Sequence, residues 1–376
     1  MRLLIIDHNA VRSCDRTLYR AIQAAGIKDL VLVAPAHWKE FGLSFACEEE
    51  NGPLKVIPLP VLFPGKHHRV LYRNLAEVVR RQMPDVILVN AEPENHLALQ
   101  AELVRHRVRP EAVLILTTWR NIDPRIAGFP YRAPWLHGSI ERKVLRSVNH
   151  IVAHTAASRS IYRSYGFENV TYIPPAIDAM AYSERPLGTE PEMGMRIGFI
   201  GRFTFLKGGD ILLSALKQLP WDCRLTMVGD GEMRDTWKTL ANELGIADRV
   251  RWTGGLPHVC VPALVRQFDV LVLPSRTGHV WKEQFGRVLV EAMAGGVPVI
   301  GSTSGEIPQV IGNAGIIFPE NDVDALVAAL AGLHHNSSRG EVFAAMGRQR
   351  AIKEFSIESA VPRYLNLLEA VVRPRL

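Results

Sequence analysis

The sequence predicts an α/β protein with two doubly wound, parallel-sheet domains that face a central cleft. Three observations predict it: short β-branched runs alternate with helical patterns, the alternation restarts once, and a polar segment rich in Pro and Gly separates the two series. Alternating strands and helices imply parallel sheets that helices cover on both faces. A chain of 376 residues also suits two domains of about 150–200 residues better than one core.

The first domain is predicted at residues 1–182. Between its strands, apolar residues recur every three to four positions at 68–82 and 94–106, which predicts helices there. The predicted strands are 2–7, 30–34, 55–59, 85–90, 112–117, 149–153 and 170–173.

A linker is predicted at 183–195 and the second domain at 196–355. The amphipathic final segment, 356–376, is expected to pack back on the first domain. The predicted strands of the second domain are 196–200, 222–228, 249–253, 269–273, 297–300 and 314–317. The predicted helices are 207–218, 232–244, 258–267, 286–295 and 322–333.

The composition is that of an ordinary globular protein, with 47% hydrophobic and 22% charged residues. No apolar run approaches the roughly 18 residues of a membrane span, and the opening "MRLLIID" becomes polar too early for a signal peptide. The four cysteines have neither metal nor redox spacing, so we expect reduced thiols and a cytoplasmic protein.

The net charge of +6 is unevenly distributed. Residues 1–180 hold 23 Lys and Arg against 17 Asp and Glu, whereas residues 181–376 hold 21 of each. These charges are either solvated helix faces or a surface that meets anionic material, such as a peripheral membrane surface or a phosphorylated acceptor. Nucleic acid is not expected, because no basic stripe is interleaved with aromatic residues. The basic clusters are Arg69, Arg73, Arg80 and Arg81; Arg105, Arg107 and Arg109; and Arg142, Lys143 and Arg146.

An anion site is predicted after the first strand of the second domain. There, Gly201 and Arg202 close the strand and Lys207 opens the next helix. A strand-to-helix turn offers backbone amides at a positive helix end, and Arg and Lys add two cations. The alternative is a pair of surface charges beside a turn. The turn is not a P-loop, because no Gly precedes Lys207 and no Ser or Thr follows it.

A second anion site is predicted in "KEQFGRVLVEAMAGG". Its helix begins near Gly286, and the amides of Gly286, Arg287 and Val288 would face a ligand. Glu283 and Glu291 flank these amides, and because carboxylates cannot bind phosphate, we expect them to accept hydrogen bonds from sugar hydroxyls. Together these features describe a sugar-nucleotide site. The alternative for Glu291 is a carboxylate favoured by the helix dipole.

An ordered set of motifs resembles the family 4, or group 1, glycosyltransferases across residues 196–318. The two glutamates with seven residues between them are weak evidence alone, but the order and spacing of the set are specific. The set is "GRFTFLKG" (201–208), "MVGDGE" (227–232), "VRWTGGL" (250–256), "FDVLVLPS" (268–275), "EQFGRVLVEAMAGGVPVI" (283–300) and "GEIPQVIGNAGIIF" (305–318).

The resemblance implies a GT-B fold and transfer of a monosaccharide, with retention of configuration, from a UDP- or GDP-sugar. The acceptor would be a hydroxyl of a glycan, a lipid-linked saccharide or a small metabolite. No metal and no other cofactor is implied, because side chains and helix dipoles carry the charge of the leaving group. The expected location is cytoplasmic, including the inner membrane face.

The resemblance also implies roles for individual residues. Arg202 and Lys207 match the pair that neutralises the donor diphosphate, and Glu283 matches the residue that faces the donor sugar. Glu291 matches the residue that holds the ribose hydroxyls. Backbone contacts to the donor are implied at Gly201, Gly254, Leu256, Phe285, Gly286, Arg287 and Val288.

The amino half departs from the family pattern. The loop after the first strand, "DHNAVRSCDR", lacks glycine, "TTWRN" stands where many members carry His, and "PPAID" replaces Pro-Asn-Gly. Gln309 also replaces a common Glu. Seven residues of this half are candidates to line the acceptor side of the site: Asn9, Glu92, Glu94, Asn95, Trp119, Asn121 and His154. They could equally be helix caps, a core aromatic and a strand-end histidine.

Four other interpretations concern individual motifs or the whole chain. Asp322-Val323-Asp324 resembles a metal-binding triplet, but a helix N-cap explains it better. A dinucleotide-dependent oxidoreductase is disfavoured, because "GDGEMR" lacks the third Gly of G-x-G-x-x-G. A pyridoxal-phosphate phosphorylase would need a buried lysine that the sequence does not single out. A non-catalytic protein of the same fold that binds sugar nucleotides stays open.

Overall fold

The computed structural model describes residues 1–40, 43–129, 131, 133–182 and 194–372. It divides into two compact units, Met1–Ala176 with Ile357–Leu376 (unit 1) and Ile177–Ser356 (unit 2). Most of the linker predicted at 183–195 lies outside the described residues.

Unit 1 is built on a seven-stranded parallel sheet in the order β11-β10-β9-β8-β1-β2-β5. Its strands are β1 (Arg2–Ile6), β2 (Asp29–Pro35), β3 (His37–Glu40), β4 (Leu43–Ala46), β5 (Lys55–Leu59), β6 (Val61–Leu62), β7 (Leu71–Tyr72), β8 (Val86–Asn90), β9 (Val113–Thr118), β10 (His150–Ala153) and β11 (Val170–Tyr172). Its first six helices are α1 (Thr17–Ala24), α2 (Leu75–Gln82), α3 (His96–Val108), α4 (Pro124–Ala127), α5 (Pro134–Leu145) and α6 (Ala156–Ser164).

The central strands of this sheet are apolar on both faces, as expected where helices cover both sides. Leu4 and Ile6 of β1 lie in one core cluster, and Leu3 and Ile5 lie in another. The sequence therefore correctly predicted the parallel sheet of unit 1.

Two antiparallel hairpins were not predicted. His37–Glu40 pairs with Leu43–Ala46, and Val61–Leu62 pairs with Leu71–Tyr72. The helix predicted at 68–82 was wrong at its start, because α2 begins at Leu75. The apolar spacing there arises from Val70 and Tyr72, which are buried in the core, and not from a helical face.

Unit 2 is built on a six-stranded parallel sheet in the order β14-β13-β12-β15-β16-β17. Its strands are β12 (Met195–Ile200), β13 (Cys223–Val228), β14 (Val250–Gly254), β15 (Val270–Leu273), β16 (Val299–Ser302) and β17 (Ile316–Phe318). Its helices are α7 (Gly209–Gln218), α8 (Arg234–Glu243), α9 (Val261–Val265), α10 (Arg287–Ala294), α11 (Ile307–Ile311), α12 (Val323–His334) and α13 (Ser337–Phe355).

The strand order of unit 2 reverses between β12 and β15, which are hydrogen-bonded neighbours. Ligands of open α/β sheets bind beyond the carboxyl ends of the strands at such a switch point. The loops that follow β12 and β15 therefore mark the expected site.

Helix α14 (Ile357–Val372) belongs to unit 1. Ile357, Tyr364 and Leu368 are buried in the same core cluster as Leu3 and Ile5 of β1. Among the described residues, none of the helices has the length and apolar character that crossing a membrane requires.

Candidate functional site

Lys207 and Glu283 meet at the switch point of unit 2. The Lys207 Nζ lies 2.6 Å from the Glu283 Oε2, and the Ser275 hydroxyl donates to the same oxygen over 2.8 Å. Glu283 is only 6% exposed, so its charge needs these partners. The Lys207 Nζ also lies 5.3 Å from the centre of the Trp281 ring, a distance that allows a cation–π contact.

Two glycines fix the backbone on either side of this pair. Gly208 has a φ of +69°, and a Cβ there would lie 2.0 Å from the carbonyl oxygen of Pro274. Gly305 has a φ of +57°, and a Cβ there would lie 1.9 Å from the carbonyl oxygen of Glu283. Both positions require glycine for backbone conformation and for space.

Arg276 ties the loop after β12 to the loop after β15. Its guanidinium donates to the Phe205 carbonyl oxygen over 3.1 Å, to the Asp210 Oδ2 over 2.5 Å and to the Asn321 Oδ1 over 2.8 Å. Arg276 is buried, and the loop that carries Lys207 is therefore held by a charge-assisted network. Arg276 was not predicted as a site residue, because an Arg that follows "LPS" has no distinctive spacing.

The second glutamate, Glu291, is buried in the second turn of α10. The Arg287 Nε and the His258 Nε2 each lie 2.9 Å from its Oε1. These two donors explain how an apolar helix tolerates a carboxylate. Burial raises the pKa of the Tyr182 phenol, and the negative charge of Glu291 raises it further.

Helix α10 begins after Gly286, which has a φ of +78° and caps the helix in the left-handed conformation. The first amides of a helix have no acceptor within it and form a positive end. The backbone amides of residues 286–288 therefore lie at the positive end of this helix. Glu283 precedes these donors and Glu291 follows them along the chain.

The other residues predicted to contact the nucleotide-sugar donor also lie in unit 2. Arg202 is exposed beyond the end of β12, and Gly201 donates its amide hydrogen to the carbonyl oxygen of Val228. Gly254 ends β14, and Leu256 is 40% exposed. The remaining three surround the start of α10: Phe285 is buried 5.5 Å from the Phe355 ring, Arg287 is exposed and Val288 is half-buried.

Three acceptor candidates form one group in unit 1. The Glu92 carboxylate accepts hydrogen bonds from the Thr118 hydroxyl and from the Trp119 amide, and the Trp119 ring lies 4.8 Å from the His154 ring. The His154 Nδ1 donates to the Ile173 carbonyl oxygen over 2.8 Å. Burial lowers the pKa of His154 to about 4, as expected for a neutral strand-end histidine.

A buried ion cluster lies beside this group. The Arg120 guanidinium contacts the carboxylates of Glu94 and Glu141. Burial raises the pKa of Glu94 to about 7, and the charge of Arg120 acts in the opposite direction. Because Glu92, Glu94 and Glu141 all surround one guanidinium, we conclude that its charge does not fully compensate theirs.

The remaining acceptor candidates are Asn9, Asn95 and Asn121. Asn9 is exposed, and its amide donates to the Asp7 Oδ1 over 2.9 Å. Asn95 is the residue before α3, and Asn121 follows β9; both side chains are buried. The Asn95 Oδ1 is buried without a hydrogen-bond partner, so its side chain does not cap α3 as the capping alternative required.

The Asp322–Asp324 triplet is a helix start. The Asp322 side chain accepts a hydrogen bond from the Ala325 amide over 2.8 Å and caps α12. Within the part of the chain that the structure describes, no group of three or more His, Cys, Asp or Glu side chains is arranged to hold a metal ion.

Residues 184–350 match the family model for "Glycosyl transferases group 1". The chain is 30% identical over 212 residues to a GDP-mannose-dependent α-(1-6)-phosphatidylinositol monomannoside mannosyltransferase of Mycolicibacterium smegmatis, covering 52% of this chain and 55% of that protein. It is 27% identical to the 2-deoxystreptamine N-acetyl-D-glucosaminyltransferase of Streptomyces fradiae, covering 68% of this chain and 63% of that protein. The chain thus spans less than two thirds of the length of these relatives.

Solved structures show the same fold over nearly the whole chain. The sucrose-phosphate synthase of Thermosynechococcus elongatus superposes with a TM-score of 0.74 at 18% identity, covering 99% of both chains. The Anabaena protein HepE in complex with UDP superposes with a TM-score of 0.76 at 18% identity, covering 98% of this chain and 100% of that one. The chain therefore has the GT-B fold of two Rossmann-like units, and its residues 184–350 are similar to the group 1 glycosyltransferases.

Proposed function

We propose that the protein is a retaining glycosyltransferase that moves a monosaccharide from a UDP- or GDP-sugar to a hydroxyl acceptor without a metal ion. The observation that carries the proposal is the pairing of Lys207 with Glu283 at the switch point of unit 2. A cation held beside a carboxylate, with a helix N-terminus next in the chain, suits a ligand that carries phosphates and hydroxyls.

The reaction places its growing charge on the diphosphate. As the bond between the sugar C1 and the phosphate oxygen breaks, the nucleoside diphosphate leaves as an anion and the sugar becomes oxocarbenium-like. The acceptor oxygen then bonds to C1, and its proton passes to a phosphate oxygen of the leaving group. Fixed donors that face the leaving phosphates lower this barrier most effectively.

Each side chain of the site has a proposed task. Arg202 and Lys207 neutralise the diphosphate, together with the amides of residues 286–288. Glu283 holds Lys207 in place and accepts hydrogen bonds from donor-sugar hydroxyls, while Glu291 accepts them from the ribose. The loop at 254–256 contacts the nucleobase.

The donor and acceptor are proposed from the relatives. The names of several relatives specify GDP-mannose as donor and phosphatidylinositol monomannoside as acceptor, so GDP-mannose and lipid-linked saccharides are the first substrates to test. A glycan is the second acceptor class. The enzyme would act in the cytoplasm, at the inner membrane face when its acceptor is lipid-linked.

The decisive experiment is a thermal-shift panel of nucleoside diphosphates, followed by a donor-hydrolysis assay. We expect one diphosphate to raise the melting temperature by mass action, and the matching sugar nucleotide to be hydrolysed slowly in the presence of EDTA. Binding without hydrolysis or transfer would favour the non-catalytic sugar-nucleotide-binding alternative. Stabilisation by NAD alone would favour the oxidoreductase.

A further inference from the structure

One face of helix α5 is exposed along its whole length. The exposed positions of this face lie one, four, seven, eight and eleven residues after the first of them, Trp135. This spacing places them on one side of an α-helix. The opposite face carries the buried residues His137, Ile140, Glu141 and Val144. The exposed positions, hereafter the α5 face, are Trp135, Leu136, Ser139, Arg142, Lys143 and Arg146, the last being the C-cap.

The amino-terminal half of the α5 face is apolar. Trp135 is 75% exposed and Leu136 is 36% exposed. Another large apolar side chain, Ile126 of α4, which precedes α5 in the chain, is 87% exposed. Exposed single apolar residues are common, but a tryptophan next to a leucine on one helix face favours a surface that becomes covered.

The carboxyl-terminal half of the α5 face is basic. The Arg142 guanidinium donates to the Ser139 hydroxyl over 3.2 Å and to the Gly138 carbonyl oxygen over 3.3 Å. Within the described ranges, none of Arg142, Lys143 and Arg146 has a carboxylate partner. The three charges are therefore available to an anion outside the unit.

The net charge of unit 1 is also positive, like the carboxyl-terminal half of the α5 face. Unit 1, counted as residues 1–176 and 357–376, contains 26 Lys and Arg against 18 Asp and Glu. Unit 2, residues 177–356, contains 18 against 20. The excess positive charge of the chain belongs to unit 1, which would attract an anionic surface over about a Debye length.

We propose that the α5 face docks unit 1 on an anionic phospholipid bilayer. Trp135 and Leu136 enter the interfacial region, where tryptophan is enriched, and Arg142, Lys143 and Arg146 lie against the lipid phosphates. One helix face is too narrow for a stable protein interface, which needs about 800 Å² from each partner. The inference rests on the proposed function in one respect, since a lipid-linked acceptor would lie at this surface.

The test is co-sedimentation with vesicles of phosphatidylcholine containing 30% phosphatidylglycerol. We expect the triple variant R142Q/K143Q/R146Q to partition on the order of 100-fold more weakly than the wild type, from the attraction of each cation to the surface. Trp135→Ala should partition roughly tenfold more weakly because it loses its buried apolar area. Trp135→Phe should keep most of the binding but lose the quenching of indole fluorescence by brominated lipid.

The matched control removes three exposed arginines from another part of unit 1, in the variant R73Q/R80Q/R81Q. It should bind to vesicles more tightly than R142Q/K143Q/R146Q. Equal loss in both triple variants, or unchanged binding of Trp135→Ala, would overturn the proposal. A lipid-independent dimer that Trp135→Ala dissociates would overturn it in favour of a second copy of the chain.

Donor hydrolysis, measured on the same samples without vesicles, separates this inference from the proposed function. We expect Trp135→Ala and R142Q/K143Q/R146Q to hydrolyse the donor as the wild type does. A wild type that hydrolyses donor but ignores anionic vesicles would refute the docking surface alone. A wild type that binds vesicles and hydrolyses no donor would refute the proposed function and leave the docking surface in place.

Discussion

The Lys207 ammonium lies 2.6 Å from the Glu283 carboxylate, although 76 residues separate them in the chain. Each resides in a loop that follows one of the two strands at the switch point of unit 2. The pair keeps a cation and an anion in one place before any ligand arrives, as electrostatic preorganisation requires.

The first prediction concerns this pair. Lys207→Ala should lower the turnover of donor by at least about 100-fold, because it removes the cation that we propose faces the leaving diphosphate. Glu283→Gln should lower it as well, since Lys207 loses its charged partner. Steady-state kinetics with the donor identified by the thermal-shift panel measures both variants.

Lys217→Ala is the matched control, because Lys217 is an exposed lysine near the end of α7. It should leave turnover unchanged. Wild-type turnover in Lys207→Ala, with circular dichroism showing an intact fold, would refute the assignment of Lys207.

The second prediction concerns Gly208. Gly208→Ala should reduce turnover and stability, because its Cβ would lie 2.0 Å from the Pro274 carbonyl oxygen and would push Lys207 out of position. Gly245→Ala is the matched control: its φ of +68° is nearly the same, but no atom lies within 4 Å of the added Cβ. Gly245→Ala should lower the free energy of unfolding by only about 1 kcal/mol, which is the cost of the backbone strain alone. Equal losses in the two variants would show that conformation alone, and not contact with Pro274, makes glycine necessary.

The third prediction concerns His258, which donates to Glu291 from the loop region proposed to contact the nucleobase. Its Nε2 lies 2.9 Å from the Glu291 Oε1, and because a carboxylate only accepts, the Nε2 carries the hydrogen. His258→Ala should weaken the binding of a nucleoside diphosphate roughly tenfold by releasing Glu291. His258→Gln, which keeps a donor, should restore part of the affinity.

Calorimetry with a nucleoside diphosphate and its 3′-deoxy analogue tests whether His258 acts through Glu291. If it does, His258→Ala reduces the preference for the ribose hydroxyl. If His258→Ala weakens the binding of both ligands by the same factor, His258 acts only on the local fold. His106→Ala, at an exposed position in unit 1, is the control.

The sequence predicted the two parallel sheets because β-branched runs such as those of β1 and β8 repeat with helices between them. It did not predict the hairpins, because their strands contain only two to four residues and show little alternation. The positions of Lys207 and Glu283 were predicted from local motifs. Their direct contact was not, because spacing along a chain does not report the packing of two distant loops. Arg276 and His258 were missed for the same reason, since each acts on a partner at least 33 residues away.

The fourth prediction concerns the acid sensitivity of unit 1. Burial, together with the charge of His67, lowers the pKa of His8 to about 3, and burial lowers that of His154 to about 4. These two histidines therefore bind protons near pH 6.5 in the unfolded chain but remain neutral at that pH in the folded chain. The free energy of unfolding is therefore highest above pH 6.5 and decreases as the pH falls below that value. Between pH 7.5 and pH 5, each histidine should lower the free energy of unfolding by about 2 kcal/mol.

Glu94 should oppose this trend. Its pKa is raised to about 7 by burial, so below that pH the folded chain holds a proton more tightly than the unfolded chain, and acidification stabilises the fold. Glu94→Gln removes this compensation and should steepen the acid loss of stability, whereas His154→Gln should flatten it. Urea denaturation of each variant at pH 7.5 and at pH 5 measures the change in the free energy of unfolding between the two pH values. Equal changes for the wild type, Glu94→Gln and His154→Gln would contradict the shifted pKa values of Glu94 and His154.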